Sequence, residues 1–219
     1  MNIAIDGPSA AGKSTIAKLL ATKLNYYYLD TGAMYRVVAL KAIRNNIALD
    51  DEEKIEVMLS NTKIDFDTHN NIYLDNENVS SQIRENSISM AASTISKVAF
   101  VRCNLVTRQQ ELASKYQNVV MEGRDIGSVV LQDAPVKIFL VASSETRAHR
   151  RVLDLEKKGQ IVEFDQILEE IKARDYQDTH RENSPLIKCD DAIEIDSSNL
   201  SIDEVVNEIM GIVKKKGCE

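Results

Sequence analysis

The motif from which the whole sequence can be interpreted lies at residues 7–15 and reads Gly7-Pro8-Ser9-Ala10-Ala11-Gly12-Lys13-Ser14-Thr15. It matches G-x-x-x-x-G-K-[ST], a loop whose backbone N–H groups line a concave surface that binds phosphate oxygens. The flanking residues fit this interpretation. Residues 2–6 are short and rich in apolar side chains, as in a buried strand, and apolar residues between positions 16 and 24 recur at helical spacing. Strand, loop and helix in this order predict a nucleoside triphosphate site.

Each residue type in the motif has its own role in binding a triphosphate. Glycine is needed where the backbone approaches phosphate closely, and the N-terminus of the following helix favours negative charge. We expect Lys13 to reach the β- and γ-phosphates, Ser14 to offer its hydroxyl to Mg²⁺, and Thr15 to donate on the α-phosphate side. We therefore predict that residues 7–15 bind a nucleoside triphosphate such as ATP, with Mg²⁺ as the cofactor.

Length and composition favour a single globular domain of 219 residues, 43% of which are hydrophobic. No apolar run approaches the roughly 20 residues that a membrane span needs, and the first residues lack the pattern of a signal peptide. The cysteines are Cys103, Cys189 and Cys218, and this odd number at wide spacing is atypical of a disulfide framework or a zinc site. We expect reduced thiols and a cytoplasmic location.

The net charge of −7 disfavours nonspecific binding to nucleic acid or to an anionic membrane. A phosphorylated small molecule stays compatible with this charge, because local arginines can make a positive cleft on an acidic protein. We therefore expect small-molecule partners, no nucleic acid and no membrane, and we expect the chain to act as a monomer.

Strands and helices alternate along most of the chain, which predicts a parallel sheet covered by helices. Residues 62–84 interrupt this pattern, because short alternating apolar segments around polar turns predict a small antiparallel insert. A long helix is expected from about 97 to 116, and polar, arginine-bearing helices at 144–158 and from 164 to about 174. Ser201 and Glu204 have the spacing of a capping box that begins the last helix.

The loop at residues 7–15 does not identify the phosphate acceptor. The guanine-reading N-K-x-D and the D-x-x-G switch of GTPases are absent from the sequence, which favours phosphate transfer to a small acceptor. Three polar segments follow predicted strands or a charged helix, at 30–36, 122–127 and 174–181. Ligands of open α/β sheets bind at the carboxyl ends of strands, so these segments are candidates for the acceptor site.

Two of these segments have a specific resemblance. They read Asp30-Thr31-Gly32-Ala33-Met34-Tyr35-Arg36 and Gly123-Arg124-Asp125-Ile126-Gly127. With residues 133–140 and 147–151, they make the chain similar, over nearly its whole length, to the bacterial-type cytidylate kinases of the nucleoside monophosphate kinase family of P-loop proteins. The resemblance implies direct in-line transfer of the γ-phosphoryl group of ATP to CMP or dCMP, giving CDP or dCDP.

The resemblance also implies an architecture. The fold would be a three-layer α/β/α arrangement with a central parallel sheet, a small antiparallel insert and a helical lid. Residues 1–219 would form one kinase domain. Its parts would be a core at about 1–61, 85–150 and 182–219, a CMP-side insert at about 62–84 and a lid at about 151–181.

Site residues follow from the resemblance by position. Those expected to bind CMP are Arg102, Ser93 and Asp125 at the cytosine, Thr31 and Asp178 at the sugar, Arg36, Arg124 and Arg181 at the phosphate, and Tyr35 and Arg84 as lining residues. Those expected to act in catalysis are Lys13, Arg124, Arg174 and Arg181. Arg150 or Arg151 would approach ATP, and Arg150 is the residue we assign to the ATP site.

Other interpretations of the same residues stay open at this point. Arg147, Arg150 and Arg151 lie among acidic residues at helical spacing, so surface ion pairs account for much of that pattern. Arg108 is interpreted as a surface residue, and Glu122 as an acidic group near the metal. The acceptor could instead be UMP or a metabolite that is not a nucleotide, and a regulatory protein that senses or hydrolyses ATP is the alternative outside the phosphotransferases.

Overall fold

The computed structural model describes residues 1–67, 69–157 and 159–217. The chain forms two compact units: the first consists of Met1–Tyr28 and Tyr116–Glu219, and the second is Leu29–Lys115. Cys103 and Cys189 are free thiols, as expected, whereas Cys218 lies outside the described residues.

The secondary-structure elements alternate as the sequence predicts. The strands are β1 (Ile3–Asp6), β2 (Tyr27–Asp30), β3 (Ile64–Phe66), β4 (Ile72–Leu74), β5 (Glu77–Asn78), β6 (Val119–Gly123), β7 (Val136–Val141) and β8 (Ile193–Asp196). The helices are α1 (Lys13–Leu24), α2 (Thr31–Arg44), α3 (Glu52–Ser60), α4 (Asn86–Ile95), α5 (Ala99–Tyr116), α6 (Ser144–Glu156), α7 (Phe164–His180) and α8 (Ile202–Gly217).

The first unit is organised around a five-stranded sheet of order β2-β6-β1-β7-β8. Tyr27 and Tyr28 of β2 end this unit's first segment. β1 pairs in parallel with β6 and β7, and β7 with β8. All residues of β1 are buried, as expected of a strand covered on both faces. Apolar side chains of α1 and α8, including Leu20, Val206 and Ile209, join those of β1 in one core.

The second unit packs its helices around a core that includes Val37, Leu59, Ile83 and Leu105. It also contains the antiparallel sheet β3-β4-β5, within the range predicted for an insert. The central parallel sheet with flanking helices and the small antiparallel sheet confirm the predicted fold class. The division into core, insert and lid stays a prediction.

The helices of the structure differ from the predicted ones at the end of α7 and before α5, and they agree at the start of α8. Helix α7 continues to His180 instead of ending near residue 174, since no helix breaker occurs before the Asn183-Ser184-Pro185 segment. A separate helix, α4, precedes α5. The capping box is confirmed, because the Ser201 amide donates to Glu204 Oε2 at 2.8 Å and the Glu204 amide donates to Ser201 Oγ at 3.3 Å.

None of the helices in the part of the chain that the structure describes has the length and apolar character of a membrane-spanning segment.

Candidate active site

The phosphate-binding loop joins β1 to α1 in a backbone conformation that needs glycine at two positions. Gly7 has a φ of 152°, and a Cβ added to it would lie 2.0 Å from the carbonyl oxygen of Leu140 in β7. Gly12 caps α1 with a φ of 96°. Ala10, between them, also has a positive φ of 60°, which is uncommon for a residue with a side chain. These left-handed residues curl the loop, as a concave surface of amides requires.

Lys13, the first residue of α1, is buried, and its Nζ donates to the carbonyl oxygen of Pro8 at 2.7 Å. Burial is the largest cause that lowers the pKa of its ammonium from 10.5 to about 7. The charge of Arg124 acts in the same direction, whereas the carboxylates of Glu122, Asp178 and Asp6 oppose the decrease. The positive charge of Lys13 is therefore incompletely compensated, and an anion bound in the loop would stabilise it.

Asp6 ends β1 and fastens the phosphate-binding loop to the loop after β6. Its Oδ1 accepts from the Ile126 amide at 2.8 Å and its Oδ2 accepts from the Gly127 amide at 2.7 Å. Burial raises the pKa of this carboxyl to about 6, against the lowering effect of the two amides. The bonds to Asp6 thus position the segment that contains Arg124 and Asp125 relative to β1.

Arg124 and Asp178 form an ion pair in the first unit, with Nε donating to Oδ2 at 2.7 Å. Burial alone would raise the pKa of the Asp178 carboxyl, but the charges of Arg124, Arg174 and Arg181 outweigh burial and hold the pKa below its usual value. Asp178 therefore stays ionised and lies among three of the arginines that the sequence predicts. Arg181, just after α7, also donates from Nε to the Ser184 carbonyl at 2.7 Å.

Two further acidic residues of the first unit lie on the loop and strand next to Arg124. Asp125 is buried directly before the helical turn Ile126–Val130. Glu122 is buried in β6 and accepts from the Tyr28 hydroxyl at 2.8 Å. One carboxylate oxygen of Glu122 and both carboxylate oxygens of Asp6 therefore already accept hydrogen bonds from the protein.

Protein groups that could hold a divalent cation are sparse. Among the described residues, no three His, Cys, Asp or Glu side chains form a group that could bind a metal ion. Ser14 is half-buried in the first turn of α1, next to Lys13. One hydroxyl fits Mg²⁺, which keeps several water ligands and is commonly bound through one or two protein groups together with phosphate oxygens.

In the second unit, Arg36, assigned to the acceptor phosphate, and Arg84, assigned as a lining residue, meet at Asp30. This residue caps α2, with its Oδ1 accepting from the Ala33 amide at 2.9 Å. Its Oδ2 accepts from Arg36 at 2.7 Å and from Arg84 at 3.1 Å. Asp30 lies in the segment 30–36 predicted for the acceptor site but was not itself predicted as a site residue, although a carboxylate after a strand and before a helix indicates an N-cap.

The residues assigned to the cytosine and the sugar in the second unit lie on α2, α4 and α5. Thr31 and Ser93 are buried, and Arg102 is only 4% exposed. The Arg102 guanidinium lies 5.5 Å from the centre of the Tyr35 ring and donates to the Ser96 carbonyl at 3.3 Å. A buried arginine and a nearby serine are groups that can recognise the polar edge of a base.

Arg150 and Arg108 both contact backbone carbonyls. Arg150, which we assigned to ATP, donates to the Ser197 carbonyl at 2.6 Å and, more weakly, to the Ala11 carbonyl at 3.4 Å. It thus contacts the backbone of the phosphate-binding loop at Ala11, and its direct contact with ATP stays a prediction. Arg108, interpreted from the sequence as a surface residue, is half-buried and donates to the carbonyls of Leu59 and Thr62 at the end of α3, which is a structural role.

The first unit thus places Lys13, Arg124, Arg174, Asp178 and Arg181 in one electrostatic cluster. The second unit gathers Arg36 and Arg84 at Asp30, and Arg102 against Tyr35. Arg147, which was not predicted as a site residue, is buried and forms bonds to the phosphate-binding loop and to α7. No sequence signal distinguishes it from a surface arginine.

The sequence model of the family described as cytidylate kinase matches residues 3–215. The chain is 50% identical over 218 residues to the cytidylate kinase of Caldicellulosiruptor bescii, covering 98% of this chain and 96% of the relative. It is 49% identical over 215 residues to the cytidylate kinase of Leuconostoc mesenteroides, covering 97% and 96%. A gluconokinase structure from Sinorhizobium meliloti shares the fold, with a TM-score of 0.50, 15% identity and coverage of 98% and 91%. By its sequence, this chain belongs to the cytidylate kinase family.

Proposed function

We propose that this chain transfers the γ-phosphoryl group of ATP directly to CMP or dCMP, giving ADP and CDP or dCDP. In this reaction the acceptor phosphate oxygen forms a bond to the γ-phosphorus as the bond to the β-phosphate bridging oxygen breaks. Membership of the cytidylate kinase family supports the choice of acceptor. The structural observation that most supports phosphoryl transfer from ATP is the buried, incompletely compensated ammonium of Lys13 in the phosphate-binding loop.

On the ATP side, the loop amides and Lys13 would hold the β- and γ-phosphates. The phosphate charge would replace the hydration that Lys13 lost on burial, so the ammonium would be fully protonated with ATP bound. The hydroxyl of Ser14 would contact Mg²⁺, and that ion, when bound, would neutralise charge on the β- and γ-phosphates. Thr15 would donate on the α-phosphate side.

On the acceptor side, Arg36, Arg124 and Arg181 would hold the phosphate of CMP. Guanidinium groups suit this role because they stay charged and bind phosphate oxygens in pairs. Arg84 shares the carboxylate of Asp30 with Arg36, which fits a lining role beside the same phosphate. Thr31 and Asp178 would contact the sugar.

Cytosine would be distinguished from uracil by its hydrogen-bonding edge. Cytosine presents an N4 amino donor, which a carboxylate such as that of Asp125 can accept, and acceptors at N3 and O2 that Arg102 and Ser93 can satisfy. Uracil presents O4 in place of the N4 amino group and an N3–H in place of the N3 acceptor. The acceptor O4 would then face the acceptor oxygens of the Asp125 carboxylate. A buried unmatched polar group costs about 1–3 kcal/mol.

Catalysis would come from positioning and from charge. The transition state of phosphoryl transfer is loose and spreads charge over the equatorial oxygens, so cations matter more than a general base. Arg124, Arg174 and Arg181 would supply those cations, and Asp178 would keep them together by its ionised carboxylate. The acceptor phosphate itself is the nucleophile and needs no dedicated base.

The test measures ADP release from ATP with CMP, dCMP, UMP and AMP side by side, and without acceptor. The proposal predicts release that depends on CMP or dCMP and is much slower with UMP and AMP. Faster turnover with UMP would reject the acceptor assignment. Acceptor-independent ADP release would instead support a protein that hydrolyses or senses ATP.

We also propose that the chain acts as a monomer in the cytoplasm, with nucleotides as its partners. The excess of 34 acidic over 27 basic residues supports small-molecule partners rather than nucleic acid. Light scattering at micromolar concentration would measure the mass. A value of twice that of one chain would reject the monomer.

A further inference from the structure

The buried side chain of Arg147 connects α6 to two separate backbone segments. The residue is 5% exposed. Its Nε donates to the carbonyl oxygen of Ala142, just after β7, at 2.9 Å. Its Nη1 donates to the carbonyl oxygen of Ser9, inside the phosphate-binding loop, at 3.2 Å. Because the guanidinium bonds to a carbonyl of this loop, a shift of the loop changes the position of the guanidinium.

The same guanidinium forms a two-bond ion pair with Asp175 of α7. Nη1 donates to Oδ1 at 2.9 Å and Nη2 donates to Oδ2 at 2.6 Å. Such parallel bonds fix orientation as well as distance, because both groups are planar. A lysine could supply the charge but could not contact all these acceptors in one fixed geometry.

Asp175 lies on the part of α7 that bears the predicted catalytic residues. It is adjacent to Arg174 and three residues before Asp178, so Asp175 and Asp178 lie on neighbouring positions of one helix face. Asp178 is itself paired with Arg124. The inner face of α7 is thus held by two ion pairs, one of which extends to Ser9 through Arg147.

We propose that Arg147 is a positioning residue that couples the phosphate-binding loop to α7 and thereby places Arg174 and Arg181 for phosphoryl transfer. This inference rests on the proposed function. Because one guanidinium bonds to both Ser9 and Asp175, occupation of the loop by ATP constrains α7 through it. Removal of the ion pair between Arg147 and Asp175 would leave the bond to Ser9 in place, and α7 would no longer be constrained by the phosphate-binding loop.

The kinetic test uses Asp175→Asn, which keeps the shape of the side chain and removes its charge. We expect kcat to fall roughly tenfold, which corresponds to loss of one charge-assisted pair, while the KM for ATP changes little. Glu169→Gln is the matched control, because Glu169 lies on the same helix in an exposed ion pair with Lys172 at 3.0 Å. An unchanged kcat in Asp175→Asn would overturn the proposal.

Arg147→Lys and Arg147→Met separate the fork geometry from the charge. We expect both to lose at least as much kcat as Asp175→Asn, and Arg147→Met also to weaken ATP binding through the Ser9 contact. The double variant Arg147→Met/Asp175→Asn should be no slower than Arg147→Met alone. Losses that add in full would show that the two residues act independently and would overturn the proposal. Thermal denaturation of each variant measures the folded fraction, to which kcat is normalised.

Hydrogen exchange separates failure of this inference from failure of the proposed function. In the wild-type chain, MgATP without CMP should slow amide exchange in both residues 7–15 and α7. In Asp175→Asn, it should slow exchange in residues 7–15 only. Equal protection of α7 in both chains, or none in the wild type, would overturn the inference. A wild type that shows the coupling but does not phosphorylate CMP would reject the proposed acceptor and leave the coupling standing.

Discussion

Replacement of Lys13 by methionine should abolish activity and make the folded chain more stable. Burial lowers the pKa of this ammonium from 10.5 to about 7, and each pH unit of difference corresponds to about 1.4 kcal/mol. The cost to folding is therefore about 5 kcal/mol at most. Methionine has a similar length and carries no charge, so the folded chain avoids the cost of the buried ammonium, and we expect a net gain of about 1–4 kcal/mol within that limit. A gain of this size raises Tm by about 2–4 °C per kcal/mol.

The stabilisation should depend on pH in a definite direction. Below about pH 7, Lys13 is protonated in the folded and unfolded chains, and the full cost of the buried charge is present. Between about pH 7 and the unfolded pKa of 10.5, the unfolded chain binds a proton that the folded chain has lost. The stability of the wild type therefore rises with pH through this window, and the advantage of Lys13→Met should fall to about half between pH 7 and pH 9.

Urea denaturation without nucleotide, at pH 7 and pH 9, measures both effects. Lys23→Met is the control, because Lys23 is an exposed residue of the same helix and its replacement should leave stability nearly unchanged. A Lys13→Met chain that is less stable than the wild type, or a gain that is equal at the two pH values, would contradict this prediction. The first result would mean that the carboxylates of Asp6, Glu122 and Asp178 stabilise the ammonium more than burial destabilises it, and the second that the two effects balance.

Three other substitutions test separate parts of the account. Gly7→Ala should lower Tm and abolish binding of a fluorescent ATP analogue, because the new Cβ would lie 2.0 Å from the Leu140 carbonyl oxygen; unchanged affinity would contradict the role of this glycine. Asp125→Asn should reduce the ratio of kcat/KM for CMP over UMP about tenfold, and an unchanged ratio would reject its contact with cytosine. Arg108→Met should cost about 1–2 kcal/mol in urea denaturation and leave kcat unchanged, because Arg108 donates to two backbone carbonyls at the end of α3. A reduced kcat per folded chain would contradict this structural role.

Local chemistry made parts of the fold predictable from the sequence. The phosphate-binding motif has a glycine where backbone crowding excludes a side chain, and Gly7 against Leu140 shows that crowding. The capping box of Ser201 and Glu204 follows from the unsatisfied amides of a helix N-terminus. Such signals depend on residues close together in sequence, so one sequence is enough to read them.

Contacts between distant segments were less predictable. Arg147 and Arg150 have the spacing of surface residues on α6, yet they bond to the backbone at Ser9 and Ser197 respectively. Helical periodicity describes which residues share a face, not what packs against it. The same reason applies to Asp30. Its role as an N-cap is visible from neighbouring residues, but its bond to Arg84 joins residues that are 54 positions apart and could not be predicted from local sequence.

Whether phosphate passes straight from ATP to CMP can be measured by following the γ-phosphoryl group itself. Wild-type enzyme, MgATP labelled with ³²P at the γ-position and unlabelled CMP are mixed, and the products are separated by thin-layer chromatography. Direct transfer at the phosphate-binding loop predicts that the label appears in CDP at the same rate as ADP forms, and that Lys13→Met forms neither. Label released as inorganic phosphate while CMP stays unmodified would contradict the account.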